Sequence, residues 1–213
     1  MAPSGPGFAV SGEAPRYAPN GARRVGGAAR RGPPFGGAPT VFAVSPTELD
    51  RRLLVAARTR GHSPGRDRAV ERFSRAGEHA ACWLALGGAG AAVDGRRDPE
   101  RRARWLRSAG VVAGAYALNT AIKFVVRRTR PQLPGLPPLT ATPTRLSFPS
   151  AHATTGFAAA RLYGRLMPAA PLYGVAGLLA ASRVYLGVHY PSDVAAGAVL
   201  GTLLAGIGAP PCR

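Results

Sequence analysis

Ser182-Arg183-Val184-Tyr185-Leu186-Gly187-Val188-His189-Tyr190-Pro191-Ser192-Asp193 sets a permanent cation, an imidazole and a carboxylate at the junction of two apolar segments. Charged groups at such a junction are costly unless they pair or bind something. This trio suits attack on phosphorus. Arg183 would hold phosphate oxygens, His189 would be the nucleophile, and Asp193 would orient and charge-balance its imidazole. Pro191 fits the first turn of a helix, which puts His189 just outside that helix and Asp193 inside its first turn. The same residues also fit a snorkelling arginine, a loop histidine and a helix cap, so the choice falls to the rest of the chain.

Two more stretches supply matching chemistry. Lys123 is the only lysine among 28 basic side chains. In a chain that otherwise uses arginine, it points to a need for a compact ammonium donor rather than a guanidinium fork. Arg130-Pro131 closes the same region and can add a bidentate phosphate contact; Arg127 and Arg128 read as generic juxtamembrane charges. Pro149-Ser150-Ala151-His152 opens a helix. Ser150 suits its N-cap, free amides at a helix start bind anions, and His152 is placed to protonate a leaving oxygen, a role worth ~10²–10⁴ in rate. His62, in a turn, and His79, near a membrane edge, lack such neighbours and read as structural.

Five apolar segments must position these residues. The net charge of +18 coexists with 46% hydrophobic residues because charge and apolarity are segregated along the chain. That segregation favours a lipid bilayer over nucleic acid as the partner. Residues 1–45, rich in Gly, Pro, Ala and Arg, read as a disordered basic tail with no signal peptide. Residues 46–75 read as two amphipathic interfacial helices. The first starts near Ser45-Pro46-Thr47-Glu48 with Leu49, Leu53, Leu54 and Ala57 on one face; the second carries Val70 and Phe73. A membrane domain then covers 76–210. Its spans are expected at Ala80–Val93 (with Arg75–His79 as a snorkelling end), Ser108–Val126, Ser150–Pro168, Pro171–Val188 and Asp193–Ile207, with 94–107 as a polar arginine-rich connection. Ser150–Pro168 would run ~28 Å as a helix. Gly110-x-x-x-Gly114 and Gly197-x-x-x-Gly201 offer close-packing faces. Cys82 and Cys212 form no disulfide or metal pattern. In an all-α, up-and-down bundle the three chemical stretches meet on one side of the membrane.

Lys123-x6-Arg130-Pro131, Pro149-Ser150-Ala151-His152 and Ser182-Arg183-x5-His189-x3-Asp193, in this order, resemble the three-part signature of the type 2 phosphatidic acid phosphatase superfamily. The resemblance covers about residues 76–210. It implies an all-helical membrane fold carrying a metal-independent phosphomonoesterase or diphosphatase site with no cofactor. By that likeness His189 forms a phosphohistidine intermediate, Asp193 supports it, and His152 is the general acid. Lys123, Arg130, Ser150, Arg183 and the amides near Ala151 would hold the phosphate. The family usually has glycine where Ala151 stands; alanine keeps helical φ/ψ, but its methyl narrows the approach. Larger members also tend to have six spans, one of which the amphipathic segment would replace here.

Phosphoryl transfer needs charge stabilisation and in-line positioning above all, and the cationic donors can supply the first without an acidic Mg²⁺ cluster. A site at the bilayer edge calls for an amphiphilic substrate. The short chain with compact loops resembles the family's bacterial polyprenyl phosphate phosphatases, which implies a polyprenyl diphosphate or polyprenyl-phosphoryl sugar phosphate. Phosphatidic acid and phosphatidylglycerophosphate are the runners-up. Vanadate-dependent haloperoxidases share such a pocket but are soluble and larger. A non-catalytic binder of lipid phosphates would not need both histidines and Asp193. Two charge cues conflict on sidedness: the basic 95–107 connection points the site outward, and the basic N-terminal flank points it to the cytoplasm.

Overall fold

The computed structural model describes residues 45–208, and the tail expected over 1–45 lies, save its last residue, outside them, as does Cys212. Within that range the chain is all-helical: α1 (Glu48–Thr59), α2 (Pro64–Arg75), a 3-10 turn (Glu78–Ala80), α3 (Ala81–Asp94), α4 (Pro99–Val126), α5 (Ala151–Tyr163), α6 (Ala169–Tyr185) and α7 (Pro191–Ile207).

The helix starts follow from local chemistry. Thr47 Oγ1 accepts the Asp50 amide at 3.1 Å and Ser63 Oγ accepts that of Arg66 at 3.3 Å. Asp98 Oδ1 accepts the amides of Glu100 and Arg101, both at 3.0 Å, with Pro99 in the first turn. These caps satisfy donors that no helical carbonyl can reach. The Asp98 cap also corrects the expected 94–107 connection. Only Gly95–Asp98 is a turn, and α4 takes in the arginines from Arg101 onward. Asp94 Oδ2 accepts both Arg101 Nε (2.9 Å) and Trp105 Nε1 (2.8 Å), which pins the α3–α4 hairpin at the end away from the site.

Helix α5 is the hub, packed against α4, α6 and α7. Its Ala158, Ala159, Ala160 and Tyr163 have no exposed surface. Small side chains let the neighbouring backbones approach. Gly197 of α7 faces Ser150 and Ala153, and a methyl at Gly201 would run into the Thr154 backbone. The Gly197/Gly201 face therefore packs as expected. Gly110 and Gly114 do not: nothing lies within 4 Å of a methyl built on either. The hub is also shorter than expected. It stops at Tyr163 instead of Pro168, so it is ~20 Å long at 1.5 Å per residue, because Gly164 caps it and Pro168 already starts α6.

Among the described helices α4 is the one long and apolar enough to cross a membrane by length and composition; α7 is apolar but shorter. Leu118, Phe124, Val125, Leu178, Val199 and Leu203 face outward from α4, α6 and α7. On α1 the expected Leu49/Leu53 face is open, and the buried face is Asp50, Leu54 and Arg58. Arg58 donates to the carbonyl oxygens of Pro137 (2.7 Å) and Tyr185 (3.5 Å), so α1 straps the loops at the site end. His62 bonds Asp67 and the Ala57 carbonyl and stacks on Tyr185, a structural role as expected.

Candidate active site

The segment between α4 and α5 builds the first wall. Arg127 ends α4 in the left-handed region (φ 54°). The chain then runs extended, bridged at Thr129–Leu146, with Arg130 N donating to Arg145 O and Ser147 N to Arg128 O. Alternate residues of an extended segment face opposite ways. Arg128 and Arg130 thus turn inward, while Arg127 and Thr129 stay exposed. Arg130 is fixed by backbone: Nε donates to Thr144 O at 2.8 Å and one terminal nitrogen to Val188 O at 2.7 Å. Lys123, 7% exposed, gives two of its donors to Ser147 O (3.2 Å) and Pro149 O (2.7 Å). Asn119, one turn earlier, donates to Pro149 O and Thr154 Oγ1. The polar interruptions of α4 therefore hold the start of α5 in place.

Six of the eight expected site residues line a single cleft of about 100 Å³: Lys123, Arg130, Ala151, His152, Arg183 and His189. Ser150 and Asp193 stand behind it, both fully buried. Ser150 occupies the N-cap position of α5 without a side-chain cap bond, and its Oγ has no partner among the described residues; its amide donates to Asp193 O.

The bonding pattern fixes both imidazole tautomers, because a carbonyl can only accept and a guanidinium only donate. Arg130 donates to His189 Nε2 at 3.0 Å, so the lone pair is on Nε2 and the proton on Nδ1, which lies 3.5 Å from Asp193 Oδ2. That is the tautomer an attack by Nε2 would require. His152 Nε2 donates to Ser74 O at 3.0 Å, leaving Nδ1 for proton transfer. Burial, and then the charges of Arg130, Lys123 and Arg183, hold the His189 pKa well below the usual imidazole value, so the ring is neutral at neutral pH. Burial and the Arg183 charge lower Arg130 to about 10, so it stays charged.

Four parts of the site escape the sequence reading. Arg128 is not a generic surface charge. It is 4% exposed, donating to Asp193 Oδ1 at 2.7 Å, to Ser192 Oγ at 2.7 Å and to Asp50 Oδ2 at 2.8 Å, with its guanidinium 4.5 Å from the Tyr190 ring centre. Asp50 of α1 also accepts the Ser192 amide at 2.9 Å. The Asp193 carboxylate thus accepts from the Tyr190 amide (2.9 Å) and Arg128, with the His189 Nδ1 3.5 Å away and not yet hydrogen-bonded to it. Next, Ser74 takes a bond from Arg183 at 2.8 Å on Oγ, while the Gly77 backbone lies against the His152 ring. Glu78 and His79 line the cleft, so His79 is no bystander, and Tyr116 and Thr120 of α4 line it too. The i, i+4, i+7 spacing of Tyr116, Thr120 and Lys123 was the available signal; Asp50, far off in sequence, gave none.

Known proteins resemble this chain in sequence and in fold. The PAP2 superfamily profile matches residues 104–209. The chain is 42% identical to decaprenylphosphoryl-5-phosphoribose phosphatase of Mycobacterium tuberculosis over 144 residues, 68% of this chain and 79% of that protein. The transmembrane PAP2-type phosphatidylglycerolphosphate phosphatase of Bacillus subtilis superposes with a TM-score of 0.57 at 25% identity, over 75% of this chain and 82% of the other. A bacterial vanadium-dependent iodoperoxidase shares the fold alone: TM-score 0.63 at 17% identity, over 75% of this chain and 48% of that one. With the three-part signature around one cationic cleft and a curated relative at this identity, the chain belongs to the PAP2 superfamily.

Proposed function

We propose that this chain removes the terminal phosphate from a polyprenyl-phosphoryl pentose phosphate at the membrane interface, without a metal cofactor. It is a lipid phosphatase of the PAP2 superfamily, and a polyprenyl-linked substrate agrees with what its curated relative acts on. The observation that carries the chemistry is a single cleft in which the His152 and His189 imidazoles meet three fixed cations, Lys123, Arg130 and Arg183. Helices α3 to α7 would cross the bilayer, which puts the cleft at one face of the cell membrane.

In the proposed reaction Lys123, Arg130 and Arg183 hold the equatorial phosphate oxygens, with amides at the start of α5 from Ala151 onward, while Ser150 supports that turn from behind. Arg130 transfers its bond from His189 Nε2 to the incoming phosphate, which frees the lone pair. Nε2 attacks phosphorus, the P–O bond to the sugar breaks, and the leaving oxygen takes a proton from His152 Nδ1, which acquires it from the substrate bound as the phosphate monoanion. Asp193 stabilises the imidazole as it becomes cationic. In the second half His152 takes a proton from water, the water oxygen bonds phosphorus, and the P–N bond electrons return to Nε2. Splitting the displacement in two relieves the enzyme of activating water against the lipid itself.

Phosphate release from a polyprenyl-phosphoryl ribose phosphate, a polyprenyl diphosphate and phosphatidic acid, assayed in detergent with EDTA, tests the proposal. Preference for the first is expected. Preference for phosphatidic acid would overturn the substrate, and activity equal to wild type in His189→Ala would overturn the mechanism.

A further inference from the structure

We propose that Glu78, His79, Tyr116 and Thr120 form a sugar-recognising rim that binds the hydroxyl groups of a pentose, or a similar polyol, between the scissile phosphate and the lipid. The inference rests on the polyprenyl-phosphoryl pentose phosphate reading above and assigns residues to the recognition of that substrate.

The rim differs in kind from the floor of the cleft. The floor is cationic: Lys123, Arg130 and Arg183 with the two imidazoles. Glu78 is the one carboxylate among the residues lining the cleft, and it lies close enough to Arg183 to interact with it. A carboxylate repels a phosphate dianion, so in a site for a bare lipid phosphate it works against binding. It becomes useful when the substrate also presents hydroxyl donors, because an ionised acceptor makes the stronger kind of hydrogen bond. Beside it, His79 Nδ1 and the Tyr116 hydroxyl are 2.7 Å apart, with the rings edge to face at 5.8 Å. Thr120 Oγ1 donates to the Tyr116 carbonyl, which leaves its lone pairs to accept. Carboxylate, imidazole, phenol and hydroxyl make a set suited to a sugar edge.

Position agrees with chemistry. Tyr116, Thr120 and Lys123 lie on one face of α4. At 1.5 Å per residue, Thr120 is about 4.5 Å and Tyr116 about 10 Å from Lys123 along the axis. The polar ladder thus leads away from the phosphate end toward the interior of α4, where polar groups are costly and usually functional. A substrate whose phosphate reaches Lys123 has its sugar beside these rungs. The backbone on the facing side is held in an uncommon conformation: His79 (φ 52°) and Ala80 (φ 60°) are consecutive left-handed non-glycine residues. Such positions persist where surrounding structure enforces them, and they cluster at ligand clamps. Here they set Glu78 and His79 at the mouth.

The test compares two synthetic substrates, farnesyl-phosphoryl ribose 5-phosphate and its 2-deoxyribose counterpart, with farnesyl diphosphate as the sugar-free arm. Wild type is expected to lose at least about tenfold in kcat/KM when the hydroxyl is removed, since a site built around a substrate hydroxyl rejects its absence. Glu78→Gln and Tyr116→Phe, both near-isosteric, are expected to reduce that ratio to within about threefold. A wild type indifferent to the missing hydroxyl, or variants as discriminating as wild type, would overturn the rim while leaving the pentose phosphate reading intact. Hydrolysis of farnesyl diphosphate with none of the ribose lipid would overturn the reading itself.

Discussion

At the scale of single residues, the account stands on two histidines with different duties. Loss of His189 removes the nucleophile, so His189→Ala is expected to lower kcat/KM at least about 10³-fold on every substrate. Loss of His152 removes a proton donor, typically worth ~10²–10⁴. His152→Gln should therefore lose most on sugar and alcohol leaving groups and least on an acidic phenol such as p-nitrophenyl phosphate, which a leaving-group series reads directly. The pH profile separates the two further. Under the proposed mechanism neutral His189 is the active form, and burial followed by the Arg130 charge lowers its pKa well below the ordinary value. The acid limb of kcat/KM set by this ring should lie below the normal imidazole range. Arg130→Gln removes one of those causes, so the limb should move to higher pH as well as the rate falling. These two histidines, Lys123, Arg130 and Arg183 were legible because each sits at a helix junction with its partner types at fixed spacing. Arg128 was not: three arginines near the end of an apolar run look alike until the extended backbone sorts Arg128 and Arg130 inward.

At the scale of elements, α1 is wired to the catalytic loop. Arg128 joins Asp50 at 2.8 Å and Asp193 at 2.7 Å, all three side chains almost fully buried. Removing one partner of a buried pair costs about 3–5 kcal/mol. Asp50→Ala is expected to lose that much stability, measured by thermal unfolding in detergent. Arg128→Gln should lower kcat at least about tenfold with KM little changed, because Arg128 holds Asp193 and touches no substrate. An equal rise in KM would mean that Arg128 binds phosphate itself. The α5–α7 contact gives a second prediction. Gly201→Ala should destabilise by more than 1 kcal/mol, since its methyl meets the Thr154 backbone. Gly114→Ala, in open space, should stabilise by about 0.5–1 kcal/mol through helix propensity. Both glycines looked alike in sequence, as GxxxG pairs in apolar runs; only the neighbour's backbone tells them apart. The early end of α5 and the helical 99–107 segment were likewise hidden, because caps at Asp98 and Gly164 outweighed the hydropathy contrast.

For the whole molecule, the arrangement puts the chemistry at one end of the bundle and the α3–α4 turn at the other. A single cysteine placed at Arg97, in an otherwise cysteine-free background, should label from the face of the membrane opposite the cleft. Labelling from the same face as a cysteine at Arg145 would contradict the bundle's up-and-down order. Separation of apolar runs by arginine-rich ends made this order readable in advance; the strap formed by α1 was not, since Asp50 and Arg58 act through partners remote in sequence. The central claim is a covalent phosphate on His189. Mixing the enzyme with substrate labelled in its terminal phosphate, quenching in alkali within one turnover and mapping the labelled peptide tests it most directly. The account predicts an alkali-stable, acid-labile label on His189 that decays as inorganic phosphate appears and is absent from His189→Ala. Release of phosphate with no labelled intermediate at any time, or with the label on another residue, would contradict it.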